Sequence, residues 1–448
     1  MSDVAGRGLW LPANRLRSRF SSRELGLAIA VALAVRVAGM ATIDYGTLGG
    51  DALGYQQLAD NLREHCTYSY SEAPPLQPTA LRAPLYATVV AVVQAVTGRT
   101  LVGVQLLQTL LSVLTMLLLA LVAARWVPAA RRWVLFGLAL NPFDGPYCVA
   151  LLTETLATFG VAAVLAALLL LRGKRRFFAA GALMGLTALT RDISVLLPAF
   201  VIGFLVLRAL RHRRAWRRTA VAAALLVCGA VLVVSPWTVR NAVQFGRFIP
   251  IARGGLGSNL WIGTWERNPD WINAGVPNYP DEAFDNEDDK QFVLAANGFY
   301  SDEANSRTLA MALRRWRAAP LATLWGCVQR ARFTWLGTRS ELVRYRWAPL
   351  ATPGALPWKV LKSSQWGLNA VMVLGALALL LGRWRSRRTR GLRFWLAIPV
   401  VWTALSYLLM HSTESRYSQP VVPVLIVGAA VVAHHLWITL LRRRAPGV

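Results

Sequence analysis

Apolar blocks of about twenty residues, separated by short arginine-rich connections, constrain this chain more than any other feature. Such a block is what an α-helix needs to cross the roughly 30 Å hydrocarbon core of a bilayer. Of the 448 residues 55% are hydrophobic and only 16% are charged, and the mean hydropathy is +0.41. One soluble core does not need so much apolar side chain. The sequence therefore predicts an all-α polytopic membrane protein.

We expect a bundle of about ten spans, with both termini in the cytoplasm. The predicted spans are 25–43, 101–124, 131–147, 150–171, 176–190, 192–208, 217–236, 362–382, 392–411 and 420–441. The connections that this topology places inside are rich in arginine, as the positive-inside rule requires: 125–132, 172–176, 208–218 and 383–393. The apolar run 84–97 is short for a span, so we predict a helix on the outer surface. If 84–97 crossed instead, every later loop would invert.

Three parts follow from this topology. Residues 1–236 form an N-terminal transmembrane module with an outer loop at 44–100, and residues 362–448 form a C-terminal transmembrane module. Between them, 237–361 is predicted to face outward, with an acidic centre at 281–289. The stretch 314–347 interleaves Trp and Arg, which is typical of helices lying among lipid headgroups.

The formal net charge of +27 raises the question of a nucleic-acid partner. The arginines cluster in short loops between apolar blocks, where they orient a protein in its membrane. We therefore expect membrane lipids, and no nucleic acid, among the partners.

Ionisable residues in or beside spans need a reason, because each costs roughly 2.5–3.5 kcal/mol at a helix centre on insertion scales. Arg36 lies within the first span and is expected to pair with a buried acid. The others fall at the predicted outer ends of separate segments: Asp51, Asp144, Glu154, Arg191, Asp192, Arg240, His411, Glu414 and Arg416. The topology thus predicts that charges from distant segments meet in one outward-facing layer.

That layer is at the level of lipid phosphates, and the planar guanidinium of arginine suits a phosphate. Arg191, Arg240 and Arg416 are the candidates. Each has a purely structural alternative, such as Arg191 with Asp192 or Arg416 with Glu414. Likewise, Glu154 could be an acid satisfied by a helix N-terminus, and Asp144 could cap a turn between prolines.

Short motifs in this order resemble one family. They are Asp51-x-x-x-Tyr55, Arg82-x-Pro84-Leu85-Tyr86, Thr153-Glu154, Leu189-Thr190-Arg191, Pro236-Trp237-x-x-Arg240-Asn241, Asn259-Leu260-Trp261-x-Gly263 and Arg416-Tyr417-x-x-Pro420-x-x-Pro423. Together, over about residues 25–425, they look like the GT-C membrane glycosyltransferases, the group of protein O-mannosyltransferase-like and lipid A aminoarabinose transferase-like enzymes.

This resemblance implies a GT-C-type helix bundle in a bacterial cytoplasmic membrane, with the active site facing outward. It also implies a sugar donor on a polyprenyl (undecaprenyl) phosphate, inverting transfer, and a catalytic role for Asp51. Many relatives carry a further domain or spans after the last motif, whereas 25 residues follow Pro423, the end of that motif, here. Recognition of an acceptor through such a domain is therefore in question.

The residue types agree with that chemistry. A phosphate leaves without protonation, so the reaction needs one base and cations for the departing phosphate, whereas glycosidases need two carboxylates. We predict Asp51 as the base, Arg240 and Arg416 as ligands of the donor phosphate, and Arg191 and Tyr417 in support. Predicted positioning residues for the arginines or the sugar are Tyr55, Arg82, Glu154, Glu414 and Asn241.

No metal or cofactor is assigned, although a divalent ion at Asp51 with Asp144 or Glu154 stays open. The acceptor stays open as well: a glycolipid, a polysaccharide or a protein. Two other functions are alternatives for this sequence. An O-antigen polymerase or ligase-like transferase would place its arginines mainly in large outer loops, and a lipid or solute transporter would show inverted repeats.

Overall fold

The computed structural model describes residues 19–44, 50–211, 216–266, 280–295, 302–337 and 344–444. Its helices are α1 (Ser22–Thr42), α2 (Asp51–His65), α3 (Leu85–Thr97), α4 (Leu101–Trp126), α5 (Arg131–Ala139), α6 (Asp144–Val149), α7 (Glu154–Leu170), α8 (Arg175–Thr190), α9 (Leu197–Arg211), α10 (Trp216–Phe245), α11 (Leu256–Trp265), α12 (Glu287–Ala295), α13 (Asp302–Ala318), α14 (Pro320–Leu336), α15 (Ala348–Ala351), α16 (Leu356–Leu381), α17 (Arg387–Leu408) and α18 (Val422–Arg444). Short 3₁₀ segments lie at Pro128–Ala130, Asp192–Leu196, Asp281–Ala283 and Ser415–Val421. Two short strands, β1 (Ile43–Asp44) and β2 (Arg344–Tyr345), pair antiparallel.

Helices long and apolar enough to cross a membrane confirm the predicted all-α, multi-span class. Among the described residues there are seven: Ser22–Thr42, Leu101–Trp126, Asp192–Arg211, Trp216–Phe245, Leu356–Leu381, Arg387–Leu408 and Ser415–Leu441. The three other predicted spans fall on the shorter helices α5, α7 and α8. The main apolar core lies between these helices.

The predicted span 131–147 is wrong as one continuous helix. Helix α5 ends at Ala139 and α6 begins at Asp144. Pro142 lies between them and has no N–H to continue a helix, and the side chain of Asn141 accepts a hydrogen bond from the N–H of Phe143 at 3.2 Å. The chain therefore turns here and delivers Asp144 as the first residue of a new helix. Helix α10, by contrast, is longer than predicted, since it runs nine residues past the predicted module boundary at 236.

The arginine-rich connections lie at one end of the bundle, as the predicted topology requires. Arg132 pairs with Glu24, and the indole N–H of Trp126 donates to the carbonyl of Leu169 at 3.2 Å. At the same end the rings of Trp384 and His435 lie 5.1 Å apart. These contacts place the connection 125–132 beside the start of α1 and the last turn of α7, and the connection 383–393 beside the later turns of α18. The orientation of this end in a membrane stays a prediction.

Helices α8 and α10 pack through glycines. A Cβ added at Gly181 would lie 2.1 Å from the carbonyl oxygen of Leu226, and one at Gly185 would lie 2.9 Å from that of Ala230. The two backbones are therefore in direct contact, as small residues at this spacing allow.

The predicted surface helix is α3, which has 13 residues. At 1.5 Å per residue this is about 20 Å, too short for a roughly 30 Å core. It packs against α2 through a pair of hydrogen bonds between the amides of Gln56 and Gln94, at 2.9 and 3.0 Å. Val92 and Val96 on its other side are exposed. Helices α2 and α3 thus form a hairpin beside the bundle, which favours the surface location over a span.

In the segment 237–361, which is predicted to face outward, three arginines have other partners than the predicted lipid headgroups. Arg314 lies 2.5 Å from Asp289, and Arg315 lies 2.8 Å from Asp285. Arg330 is completely buried. These three arginines contact protein rather than lipid headgroups, because the acidic centre of the same segment neutralises two of them. Helix α14 keeps an exposed apolar face that suits a membrane surface; it consists of Leu321, Leu324, Trp325 and Val328.

Candidate functional site

Asp51, which the sequence analysis placed in the outer loop 44–100, is the first residue of helix α2 and so has a fixed backbone position. Gly50 before it has φ +53° and ψ −126°, a conformation that residues with a Cβ rarely adopt. The turn at Gly50 sets the carboxylate beside the N-terminal N–H groups of the helix, where negative charge is favourable.

Two arginines hold this carboxylate, one on each oxygen. Arg82 Nη2 lies 2.6 Å from Oδ1, and Arg416 Nη1 lies 2.7 Å from Oδ2. Burial by itself would raise the pKa of Asp51, but the two guanidinium groups outweigh it and hold that pKa well below its usual range. The side chain of Asp51 keeps 31% of its surface exposed, so solutes can reach the pair.

Arg82 is positioned from both ends. The hydroxyl of Tyr68 donates to the carbonyl oxygens of Arg82 and Ala83 at 3.3 and 3.2 Å, and the guanidinium lies over the ring of Tyr55, 4.8 Å from its centre. Tyr55 is one helical turn after Asp51, which places both residues on the same face of α2. The four-residue spacing of Asp51 and Tyr55 therefore lets both side chains contact Arg82.

Arg416 is oriented by its neighbours in the 3₁₀ segment. Its Nη2 donates to Glu414 Oε1 at 3.3 Å, and its Nε faces the other oxygen of that carboxylate. The ring of Tyr417 stacks on Tyr407 with centroids 4.8 Å apart. The guanidinium groups of Arg416 and Arg191 each lie 5.3 Å from the centre of the Tyr417 ring. Tyr417 therefore links the two arginines.

Arg191 forms its ion pair with Glu154 and not with the neighbouring Asp192. Arg191 Nη1 lies 3.0 Å from Glu154 Oε1, while Asp192 accepts from the N–H of Ile193 at 2.9 Å. Glu154 is the first residue of α7 and is 2% exposed. Its second oxygen, Oε2, has no hydrogen-bond partner among the described residues.

Arg240 and Asn241 lie outside this group of hydrogen-bonded charges. Arg240 Nη1 donates to the carbonyl of Thr79 at 2.8 Å. The amide of Asn241 donates to the carbonyls of Ile249 and Ile251 at 3.1 and 3.2 Å. Arg240 therefore connects α10 to the segment that leads into Arg82, whereas Asn241 holds the segment that follows α10. The eight other predicted site residues meet in one place: Asp51, Tyr55, Arg82, Glu154, Arg191, Glu414, Arg416 and Tyr417.

Behind Glu414 lies a second set of charges that sequence reasoning did not include in the site. His411 Nε2 is 3.2 Å from Glu414 Oε1, and its Nδ1 is 2.8 Å from Glu266 Oε1. Glu266 in turn lies 3.7 Å from Arg330 Nε. Burial lowers the pKa of His411, but the two carboxylates outweigh it and raise that pKa to about 9. His411 stands five residues before Arg416 and so gave a local signal, whereas nothing in the sequence around Glu266 or Arg330 indicated this contact.

The expected partner of Arg36 is Asp144, at 2.5 Å. Ser112 and Gln419 donate to the same carboxylate at 2.8 and 3.1 Å. Asp144 is therefore committed to a buried network beneath the site. Over the described ranges, no group of three or more His, Cys, Asp and Glu side chains is placed to hold a metal ion.

The comparisons with known proteins yield solved structures alone. No protein-family model matches the sequence, and no curated protein matches it. ArnT from Cupriavidus metallidurans bound to undecaprenyl phosphate is similar, with a TM-score of 0.44 and 16% identity over 92% of this chain and 78% of that one. The apo state of the same protein has a TM-score of 0.42 and 16% identity over 90% and 76%. The roles proposed for residues in this chain rest on contacts within the chain itself.

Proposed function

We propose that this chain is a membrane glycosyltransferase that moves a sugar from a polyprenyl phosphate to an acceptor at the outer face of the cytoplasmic membrane. One observation carries the proposal: a single carboxylate, Asp51, lies between two arginines from distant segments. This cluster belongs to segments whose predicted location is the end away from the arginine-rich loops. A base beside cations at the level of lipid phosphates is what this transfer requires.

The reaction is an inverting displacement. The acceptor oxygen attacks the anomeric carbon as its proton passes to Asp51, the bond from that carbon to the phosphate oxygen breaks, and the electron pair stays on the phosphate. The phosphate thereby gains one negative charge. Arg416, supported by Arg191, stabilises that charge with directed N–H groups, which act strongly in a site partly closed to water.

The remaining residues orient these groups. Glu414 fixes the fork of Arg416, and Glu154 fixes Arg191. Tyr55 supports Arg82. Arg240 holds the segment that carries Arg82, so in this proposal Arg240 acts on the site through the backbone and not on the phosphate. Asn241 holds the segment that follows α10. The Oε2 of Glu154, which has no hydrogen-bond partner among the described residues, is suited to accept a hydrogen bond from a hydroxyl of the sugar.

The test uses the purified full chain in lipid nanodiscs with a panel of undecaprenyl-phosphate-linked pentoses and hexoses and a bacterial envelope extract as acceptor. Mass spectrometry follows the release of undecaprenyl phosphate. We expect release by the wild type and by the matched control Asp60→Asn. Asp60 is on the same helix as Asp51, and its carboxylate pairs with Arg63 and Arg99. We expect none by Asp51→Asn. Release by Asp51→Asn at the wild-type rate, or release by no form with any donor, contradicts the proposal.

A further inference from the structure

The two arginines that hold Asp51 form a site for an anion. Arg82 and Arg416 are 31 and 365 positions after Asp51 in the chain. Their guanidinium nitrogens lie 2.6 and 2.7 Å from the oxygens of the Asp51 carboxylate. Two converging guanidinium groups suit a phosphate as well as a carboxylate, because both anions accept parallel charged hydrogen bonds. Here the protein's own carboxylate occupies the position between them.

We propose that Asp51 is the internal occupant of a phosphate site, and that the phosphate of an arriving lipid donor displaces Asp51 from Arg416. This inference rests on the proposed function, since it takes the donor phosphate as the competing anion. The resting site is then self-blocked, and binding of the donor exchanges one ion pair for another.

Arg416 is the partner that exchanges because its orientation survives the loss of Asp51. Its Nε and Nη2 stay with Glu414, while the Nη1 that now contacts Asp51 becomes available to the phosphate. Arg82 stays paired with Asp51, because its guanidinium also lies over the ring of Tyr55, which is on the same helix as Asp51. The side chains of Asp51, Arg82 and Arg416 keep 31%, 19% and 15% of their surfaces exposed, so the exchange takes place at the site's open side.

The exchange also couples binding to base strength. With both arginines in contact, the Asp51 carboxylate is held ionised and is a weak base. Loss of Arg416 removes one stabilising cation and brings the pKa of Asp51 nearer the working range of a general base. Deprotonation of the acceptor is therefore favoured after the donor has arrived.

The charges balance through the transfer step. The acceptor proton neutralises Asp51 at the stage when the bond to the anomeric carbon breaks and the phosphate goes from one negative charge to two. Asp51 therefore does not compete for Arg416 while the phosphate needs it most. Loss of that proton to water afterwards restores the anionic carboxylate, which returns to Arg416 and expels the spent lipid phosphate.

The test is a binding titration with undecaprenyl phosphate on the purified chain in nanodiscs. For Asp51→Asn and Asp51→Ala we expect binding about fivefold tighter than wild type, since the competing ion pair is gone. For Asp60→Asn, which removes the same charge from the same helix, we expect wild-type affinity. Undecaprenol tests whether the isoprenoid alone binds, and inorganic phosphate tests whether the anion needs its lipid; a gain with undecaprenyl phosphate and inorganic phosphate, but not with undecaprenol, supports the exchange.

The outcomes separate this inference from the proposed function. Equal or weaker binding by both Asp51 variants, with saturable binding in wild type that Arg416→Ala loses, overturns the exchange and keeps the phosphate site. An equal gain for Asp60→Asn also overturns it, because a general charge effect would then account for the change. The proposed function itself is overturned if no form shows saturable binding. Each variant must first be shown to be folded, by a thermal unfolding profile like that of the wild type.

Discussion

Nη1 of Arg416 lies 2.7 Å from Oδ2 of Asp51, although the two residues are 365 positions apart. This contact joins α2 to the 3₁₀ segment Ser415–Val421, which lies between α17 and α18. Because this contact holds two distant parts of the chain together, a substitution there can change both the stability of the fold and the activity of the site.

Arg416→Lys should reduce kcat/KM roughly 10- to 100-fold. Lysine keeps the charge but cannot donate from separate nitrogens to Asp51 and Glu414 at once. The measurement is release of undecaprenyl phosphate at several donor concentrations. Arg99→Lys, an exposed arginine that pairs with Asp60, is the control and should stay near wild type. Full activity of Arg416→Lys would show that a point charge is sufficient.

Stability should depend on pH through His411. Its pKa is raised from 6.5 to about 9 in the fold, so its stabilising effect is complete below about pH 6.5 and is lost as pH rises through about 9. The thermal unfolding midpoint of the wild type should fall between pH 7 and pH 10. His411→Gln should show a smaller fall, whereas His65→Gln, at an exposed position, should keep the wild-type profile. An unchanged profile in His411→Gln would assign the pH dependence to other groups.

Arg36→Met should destabilise the protein by about 3–5 kcal/mol, because it leaves the carboxylate of Asp144 buried without its cation. Adding Asp144→Leu to Arg36→Met should recover part of this loss, since the double substitution removes the unpaired charge. The remaining deficit reflects Ser112 and Gln419, which lose their acceptor. Thermal unfolding of the three forms in one detergent measures both effects. Additive losses would mean that the two side chains do not depend on each other.

Gly181→Ala should destabilise the α8–α10 contact by about 1–3 kcal/mol, because its Cβ would meet the carbonyl of Leu226 at 2.1 Å and force the helices apart. Gly203→Ala is the matched control. It lies in α9 with no atom within 4 Å of the added Cβ, so it should be neutral or slightly stabilising. Equal thermal midpoints for the two variants would contradict close packing at Gly181.

Much of the site followed from sequence because topology is encoded locally. Hydropathy and arginine placement indicated which segment ends share one side, and eight of the ten predicted site residues are found together there. The four-residue spacing of Asp51 and Tyr55 puts them on one helix face only once Asp51 is known to begin a helix, which the sequence analysis did not predict. Arg240 and Asn241 occupy the expected helix end, but hydrogen bonds to backbone carbonyls fix them outside the charged group.

What the sequence by itself determined was the multi-span class, the grouping of basic loops at one end and the set of charges near the other, since these depend on residue type and on distance along the chain. Only the tertiary structure decided the pairs: Arg191 with Glu154 instead of its neighbour Asp192, His411 with Glu266, and Asp51 with two arginines at once. Such choices depend on where separate helices end relative to one another to within a few ångströms. An ion pair is decided at that scale, and spacing along the chain does not record it.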